Sequence, residues 1–379
     1  MSRPVSADRS LLILLLLLAI TSCRALIYNI PDISDHKIFP YRIIENCPDS
    51  VFYFESTHED RSLGKKIFTN HNELLPDAIT LDEYINNSKA VAFLIIRDDT
   101  VLYQKYKEPY DESSIFNTFS VTKIFITTLI GIAIREGYIE SINQHAAEYI
   151  PELAGIDPFN KLTIRHLLLH TSGICFSDIR FSPFSDNSSY YYGRNLRKLV
   201  MKVEFCTDPG KEIHYSSANM QLLGLILERA TGKSPSSYLE DNIWKPLGMK
   251  YPATWSLDNN GFHSFERCFS GINCTATDMA RLGRLYLKEG TYNKKQIIPK
   301  EYFYDCISRD TTDGSSWNFQ YNLKFSPKEY ESFYSSGLFG QLIYICPKKN
   351  LIIVRVGKKD LKYNPQFLIN NIIQIIDQI

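Results

Sequence analysis

The chain has 379 residues, enough for one large domain or two moderate ones, and its formal charges cancel. Lysine and arginine together number 42, and so do aspartate and glutamate, so neither a basic excess nor an acidic tail indicates nucleic acid as a partner. Aromatic residues make up 13% of the chain, which argues against long disordered regions. The composition therefore predicts a folded protein that does not bind nucleic acid.

The first 23 residues have the pattern of an export signal. Arg3 and Arg9 flank a short polar segment, and residues 11–20 form an unbroken apolar run that is too short for a comfortable membrane span. Residues 20–23, Ile-Thr-Ser-Cys, resemble the lipobox of bacterial lipoproteins, which implies that Cys23 is lipidated. An ordinary signal peptide with an incidental cysteine is the alternative. Both interpretations predict export, and the lipobox implies a lipid-anchored protein of the bacterial cell envelope, periplasmic or at the cell surface.

Export makes disulfide bonds possible. Seven cysteines follow Cys23, and none of them forms a Cys-x-x-Cys or cysteine–histidine cluster with metal-site spacing. Cys268 and Cys274 are near enough in sequence to pair, although the spacing alone does not show that they do. We expect neither a metal ion nor another cofactor.

Residues 24–78 mix proline, aspartate, aromatic and charged residues without a clear period, and we predict a tether followed by an N-terminal extension. The pattern then sharpens. Two runs typical of strands, 91–97 and 101–106, enclose Asp-Asp-Thr at 98–100. This arrangement predicts a β-hairpin.

Residues 120–134 are apolar on nearly every side, which predicts a buried helix with Ser120 at or near its N-terminus. Ser120 alone would be interpreted as an N-cap. Lys123, however, is the only charged residue of the run and lies in its first turn, where burial and the helix dipole both disfavour a cation. The same penalty makes a neutral amine accessible near neutral pH, on the helix face that carries Ser120. The pair therefore predicts an activated nucleophile.

The Ser-x-x-Lys spacing alone is not specific. It also occurs at residues 34–37 and 62–65, in polar surroundings without an apolar helix behind it. We interpret both as chance matches, because nothing in their surroundings would bury the lysine.

Residues 162–173 carry a Thr163 N-cap, an apolar helix and a glycine stop. His166 and His170 are spaced i, i+4 in this segment, but no His-Glu-x-x-His pattern and no third ligand accompany them, so we interpret them as structural histidines. The polar and aromatic segment 175–195 either lines a pocket or covers the surface.

Tyr215 and Ser217 precede or enter a helix that we predict from about residue 219 to Gly232. Taken alone, they would be a buried tyrosine and a serine near a helix cap. Strands at both ends of residues 79–379, with helices between, predict one sheet with a helical domain beside it. The predicted α/β part is 79–135 and 310–379, with strands at 317–325, 340–346 and 351–356, a turn at 347–350 and a helix at 365–376; the helical part is 136–309.

Six segments resemble successive motifs of one family, which comprises class C β-lactamases, related DD-peptidases, family VIII esterases and 6-aminohexanoate-dimer hydrolases. The resemblance covers roughly residues 80–379 and implies a mixed α/β fold of the β-lactamase/transpeptidase type, with an antiparallel sheet flanked by helices and an inserted helical domain. The segments are Ser-Val-Thr-Lys at 120–123, the motif at 162–173, Tyr-Ser-Ser-Ala-Asn-Met-Gln-Leu-Leu-Gly at 215–224, Trp-Lys-Pro-Leu-Gly-Met at 244–249, the run 271–286 and Ser-Gly-Leu-Phe-Gly-Gln at 336–341.

The resemblance implies catalytic roles for three side chains. Ser120 matches the acylated nucleophile, and Lys123 matches the lysine that accepts or shuttles its proton. Tyr215 matches the second general acid or base, whose phenolate the lysine would stabilise. The backbone N–H groups of Ser120 and Leu338 match an oxyanion hole, in which each donor can change the rate by ~10²–10³.

The remaining matches concern substrate binding. Ser217 stands where many relatives carry Asn in a Tyr-x-Asn motif, and the Tyr-Ser-Ser form resembles the aminohexanoate-hydrolase and esterase side of the family. Strict β-lactamases and DD-peptidases carry Lys-Thr-Gly on a late strand, where this chain has Ser335, Ser336 and Gly337 and lacks the cation, although another arginine or lysine could substitute.

The resemblance therefore implies a serine hydrolase that acts on a small ester, amide or peptide. Three alternatives are a β-lactamase or DD-peptidase, a penicillin-binding sensor that forms a stable acyl adduct, and an inactive scaffold.

Overall fold

The fold is mixed α/β, as the sequence predicts. The computed structural model describes residues 28, 30–56, 62–69, 78–179, 182–326, 330–359 and 365–376. The strands in these ranges are β1 Tyr41–Ile44, β2 Glu55–Ser56, β3 Ile67–Thr69, β4 Ala78–Thr80, β5 Ala90–Arg97, β6 Thr100–Tyr106, β7 Phe116–Asn117, β8 Ala253–Ser256, β9 Ile272–Cys274, β10 Thr291–Tyr292, β11 Lys295–Gln296, β12 Phe319–Gln320, β13 Leu323–Phe325, β14 Phe333–Gly337, β15 Gln341–Cys346 and β16 Leu351–Gly357.

Helices surround these strands, together with short 3-10 turns, of which Asp35–Lys37 and Phe119–Val121 bear on the site. The α-helices of the described ranges are α1 Ser62–Lys65, α2 Leu81–Asn87, α3 Thr122–Arg135, α4 Ala146–Tyr149, α5 Ile164–Leu169, α6 Asp186–Tyr192, α7 Leu196–Val200, α8 Ser217–Thr231, α9 Pro235–Leu239, α10 Ala276–Leu287, α11 Lys300–Ile307 and α12 Pro365–Ile376.

An eight-stranded sheet has the order β12-β13-β14-β15-β16-β5-β6-β2 and is antiparallel except where β2 joins β6. The predicted hairpin is confirmed as β5 and β6. Its turn residues Asp98 and Asp99 have φ values of +53° and +59°, the left-handed conformation that two-residue hairpins favour. A smaller sheet has the order β1-β8-β9-β7.

The large sheet is buried on both faces. Side chains alternate along β5, so that Phe93 and Ile95 pack in one hydrophobic cluster and Leu94 and Ile96 in another. Each fully buried side chain of this kind contributes roughly 1.5–3 kcal/mol. Helix α3 packs in the second cluster, and the sheet therefore supplies a rigid support for the helix that follows Ser120.

Helix α10 belongs to this α/β layer. At Gly283 an added Cβ would lie 3.0 Å from Ile352 Cγ2 and 3.1 Å from Ile343 Cγ2, so the helix rests on β15 and β16 with almost no space between. The predicted helical part 136–309 is therefore too long, because α10 lies within it and packs on the sheet. The amphipathic pattern of a helix shows which face is buried but not which layer buries it.

The described part of the N-terminal extension is folded onto the body. Strand β1 pairs with β8, and Ile33, Phe39 and Ile44 are buried. Residues 30–56 are therefore part of the folded extension and not of a tether. The export signal and Cys23 lie outside the described residues, within which no helix is long and apolar enough to cross a bilayer.

One disulfide bond joins Cys175 to Cys206. Cys268 and Cys274, considered as a pair from their spacing, are instead separate buried thiols. The bond ties the start of the aromatic segment 175–195 to the chain that leads to Tyr215, a pairing that sequence proximity does not favour.

Candidate active site

Ser120 lies in the 3-10 turn Phe119–Val121, which leads directly into α3. The predicted buried helix is confirmed. Its N-cap position falls on Val121 and makes no side-chain cap bond, so Ser120 is not the helix cap. Phe119, immediately before the serine, has φ +47°, a left-handed conformation that is uncommon for a bulky residue and marks a strained turn.

The Lys123 side chain is buried, with 1% of its surface exposed. Its Nζ lies 3.0 Å from Ser120 Oγ and 2.8 Å from the carbonyl oxygen of Phe269, which accepts a hydrogen bond. Nζ also lies 5.0 Å from the centre of the Tyr215 ring. No ion pair within the described ranges involves this amine. The structure thus brings the three predicted catalytic side chains together.

Tyr215 is held by His170. The two rings stack with centroids 4.6 Å apart and an interplanar angle of 24°. His170 Nδ1 accepts a hydrogen bond from the backbone N–H of Ser216 at 3.1 Å, and Nε2 donates to Asn322 Oδ1 at 2.9 Å. Burial lowers the pKa of His170 to about 3, which keeps the imidazole neutral.

The two histidines have structural roles, as predicted, but they differ. His166 Nδ1 accepts a hydrogen bond from the backbone N–H of Thr163 and completes a capping box at the start of α5. No sequence pattern indicates that His170 contacts Tyr215, because the two residues are 45 positions apart.

The C-terminal end of β14 packs against the 3-10 turn Phe119–Val121, which we call the serine turn. A Cβ at Gly337 would lie 2.7 Å from the carbonyl oxygen of Thr118 and 3.1 Å from the backbone nitrogen of Ser120, so only glycine permits this approach. Leu338 follows directly, and its neighbour Phe339 has φ +63°. The predicted oxyanion donors, on Ser120 and Leu338, are therefore on adjoining chain segments.

Two connected lobes form a cleft around Ser120, Tyr215, Asp178 and Leu338, which line both. We call them the aromatic lobe and the polar lobe; the polar lobe has a volume of about 430 Å³. The other residues of the aromatic lobe include Pro31, Phe119, Tyr191, Tyr192, Ser217 and Phe269, and those of the polar lobe include Lys123, Asn318, Asn322, Lys324, Ser336 and Gly337.

All predicted site residues of the described ranges therefore lie in or at the cleft, with Ser217 in one lobe and Ser336 and Gly337 in the other. The segment 175–195 lines the aromatic lobe through α6, which settles the two possibilities that its sequence left open. No group of three or more potential metal ligands is present within the described ranges.

The polar lobe contains a lysine that the sequence analysis missed. The predicted strand 317–325 is in fact the hairpin β12–β13, with Tyr321 and Asn322 at φ +41° and +68° in its turn. Lys324, on β13, donates from Nζ to Ser336 Oγ at 3.2 Å. A single exposed lysine in a short strand carries no sequence signal of a site.

Three comparisons with known proteins agree on one family. The sequence matches the family model "Beta-lactamase" over residues 81–366. A 6-aminohexanoate-dimer hydrolase of Paenarthrobacter ureafaciens is 28% identical over 303 residues, covering 75% of each chain. A solved Bacillus anthracis structure, provisionally named a 6-aminohexanoate-dimer hydrolase, has 23% identity and a TM-score of 0.79, covering 91% of this chain and 92% of its own. A family VIII carboxylesterase has 17% identity and a TM-score of 0.60, covering 78% and 94%.

Proposed function

Because the chain belongs to the beta-lactamase family, as its motifs predict, we propose that it is a serine hydrolase that cleaves an ester or amide through an acyl-enzyme on Ser120. One observation carries the proposal. The buried Lys123 amine lies 3.0 Å from the serine hydroxyl, within the range for direct proton transfer.

The reaction divides into acylation and deacylation. Ser120 Oγ attacks the carbonyl carbon while its proton passes to Lys123, and the carbonyl oxygen becomes an oxyanion facing the backbone N–H groups of Ser120 and Leu338. Tyr215 then gives a proton to the leaving alcohol or amine and regains one from Lys123, and the C–O or C–N bond breaks. Water attacks the acyl-enzyme with the same groups as base and acid, which releases the carboxylic acid and restores the serine. Positioned proton transfer contributes ~10²–10⁴ in rate.

Esterase or amidase activity is favoured over β-lactamase activity because the late strand lacks the Lys-Thr-Gly cation. Ser335, at the position of that lysine, is buried with 1% of its surface exposed and does not line the cleft. The relative of Paenarthrobacter ureafaciens is named for an amide-linked dimer, and amides of that class belong in the test panel.

A β-lactamase, a DD-peptidase or a penicillin-binding sensor is the second candidate, and Lys324 favours it. The amine of this residue lies in the same lobe as Ser120 and provides a cation for a substrate carboxylate. A sensor would form the acyl-enzyme from a β-lactam and fail to release it.

The test is labelling with a serine-reactive fluorophosphonate, followed by hydrolysis of short-chain esters, a chromogenic β-lactam and amide-linked dimers. We expect the native chain to be labelled and to hydrolyse esters or amides, and Ser120→Ala to lose both properties while remaining folded. Ser62→Ala is the matched control. Ser62 begins the short helix Ser62–Lys65, which has the same Ser-x-x-Lys spacing, and its replacement should leave labelling and hydrolysis unchanged. Hydrolysis retained by Ser120→Ala would refute the proposal, and a burst without steady turnover would identify the sensor.

We also propose export to the bacterial cell envelope with a lipid on Cys23. The apolar run 11–20 and the lipobox-like residues support it, and the Cys175–Cys206 disulfide fits an oxidising compartment. Incorporation of labelled palmitate in an expressing bacterium should be lost in Cys23→Ser. Equal incorporation in the variant, or none in the native chain, would rule out the anchor.

A further inference from the structure

We propose that a buried chain of three side chains positions the nucleophile for acylation. We call this hydrogen-bonded chain the relay; it consists of Asp35, Tyr191 and Asn117. It ends on the backbone N–H of Phe119, the residue before Ser120. This inference rests on the proposed function, because it concerns the geometry of the same serine.

Each member of the relay bonds to the next. Asn117 Oδ1 accepts from the backbone N–H of Phe119 at 2.8 Å, which closes a turn of the kind that asparagine favours. Asn117 Nδ2 donates to the Tyr191 hydroxyl oxygen at 3.1 Å, and that hydroxyl donates to Asp35 Oδ2 at 2.9 Å. All three side chains are buried, with 1%, 7% and 6% of their surfaces exposed for Asn117, Tyr191 and Asp35.

The relay has a direction. A carboxyl oxygen accepts the Tyr191 proton, which leaves the tyrosine oxygen lone pair facing Asn117 Nδ2. The amide is thereby fixed with its oxygen toward Phe119. Without the tyrosine hydroxyl, Asn117 Nδ2 would be buried without a partner and the amide would be free to turn.

The end of the relay is the strained position in the serine turn. Phe119 has φ +47°, a conformation that costs ~1–3 kcal/mol and persists only where several contacts enforce it. The relay is one such contact, and the ring of Phe119 stacks on that of Tyr191 with centroids 6.2 Å apart. A displacement of about 1 Å at a reacting group can lower the reaction rate ~10²-fold. Relaxation of Phe119 would therefore move Ser120 away from its productive position.

The relay also gives a function to the N-terminal extension. Asp35 lies in the 3-10 turn Asp35–Lys37, and the carbonyl oxygen of Ile33 accepts a hydrogen bond from the backbone N–H of Asn117. The extension thus bonds directly to the backbone just before the serine turn and indirectly to the turn through Asp35 and Tyr191, and it contributes Pro31 to the aromatic lobe.

The test compares Tyr191→Phe with Tyr302→Phe. Tyr302 donates its hydroxyl to the carbonyl oxygen of Thr127 in α3, so its loss removes a buried hydrogen bond from the same helix without affecting the relay. The measurements are the rate constant for fluorophosphonate labelling of Ser120, kcat per labelled site, KM and the melting temperature. We expect Tyr191→Phe to lower the labelling rate and kcat about tenfold with KM within about twofold. Tyr302→Phe should lower only the melting temperature.

Asp35 provides the second pair of variants. Asp35→Asn keeps an acceptor for the Tyr191 hydroxyl and should retain the labelling rate, whereas Asp35→Ala removes it and should reproduce the loss seen in Tyr191→Phe. If Tyr191→Phe does not fold, this pair of variants tests whether the relay positions Ser120.

The outcomes separate the two proposals. A native labelling rate in Tyr191→Phe or in Asp35→Ala, even with a lower melting temperature, makes the relay merely structural and overturns this inference alone. Absence of labelling at Ser120 in the native chain overturns the proposed function, and this inference with it.

Discussion

The two lobes of the cleft share Ser120 and Tyr215 but differ in chemistry. Tyr191, Tyr192 and Phe269 line the aromatic lobe, whereas Asn322 and Lys324 are among the polar side chains of the other lobe. A substrate carbonyl at Ser120 would therefore have aromatic rings and hydroxyl groups on one side and amide groups with a cation on the other. If the proposed function holds, we expect the end of the substrate in the polar lobe to be polar or anionic.

The buried groups behind the lobes also differ. Behind the aromatic lobe, desolvation raises the pKa of Asp35 to about 6, despite its hydrogen bonds to Asp32 and Tyr191. Behind the polar lobe, desolvation lowers the pKa of His170 to about 3. The native state therefore favours the neutral form of each group, and the two supports respond to pH in opposite directions.

The largest predicted effect concerns Ser120, which lines both lobes, through the amine beside it. Lys123→Met deletes the amine beside Ser120 and should lower kcat for neutral and anionic esters alike by ~10²–10⁴. Steady-state kinetics on a matched pair of esters, one neutral and one carrying a carboxylate, would measure this. An effect confined to one ester would mean that the amine binds substrate and does not transfer the proton.

A smaller effect should distinguish the lobes. Lys324→Gln removes the cation of the polar lobe, so KM for the anionic ester should rise about tenfold while the neutral ester is unaffected. Lys324→Arg should restore most of the binding and serves as the control. Equal changes for both esters would refute an anion site at this lysine, and no change for either would place the substrate outside this lobe.

The third prediction concerns the support of the polar lobe. Because the pKa of His170 is about 3 in the folded chain and ordinarily 6.5, its contribution to stability is present above pH 6.5 and is lost as pH falls toward 3. The free energy of unfolding of the native chain should therefore fall by about 2 kcal/mol more than that of His170→Asn between pH 6.5 and pH 5. Denaturant titrations of both proteins at each pH would measure the difference. An equal change in the free energy of unfolding of the two proteins would contradict a buried neutral imidazole.

Asp35, behind the aromatic lobe, should give the free energy of unfolding the opposite dependence on pH. The pKa of Asp35 is raised from 3.8 to about 6, so its contribution to stability is complete below pH 3.8 and is lost as pH rises through 6. Between pH 4 and pH 7 the native chain should lose about 2 kcal/mol relative to Asp35→Asn. The same titrations would test this, and a loss in the other direction would show that the folded state stabilises the ionised carboxylate.

The sequence predicted the parts of the site that depend on local patterns. The apolar run behind Ser120 and the position of Lys123 predicted a buried helix and a short contact between the two residues, and both are present. Two runs typical of strands around Asp98, Asp99 and Thr100 predicted a hairpin. In the structure, the left-handed conformation of the two aspartates turns the chain there.

Features that depend on distant contacts were not predictable in this way. Strand β1 pairs with β8, more than 200 residues away, so the segment 30–56 has no local period that would show its place in the fold. The Cys175–Cys206 pair, the stacking of His170 on Tyr215 and the relay from Asp35 likewise join residues that only tertiary structure brings together. The family motifs predicted which side chains meet at Ser120 but not the side chains that hold them.

Peptide mapping after fluorophosphonate labelling shows directly whether one serine carries the acyl group. We expect a single adduct, on the peptide that contains Ser120, formed by the native chain and by Ser62→Ala but absent from Ser120→Ala. An adduct on another residue, or labelling that persists in Ser120→Ala, would contradict it.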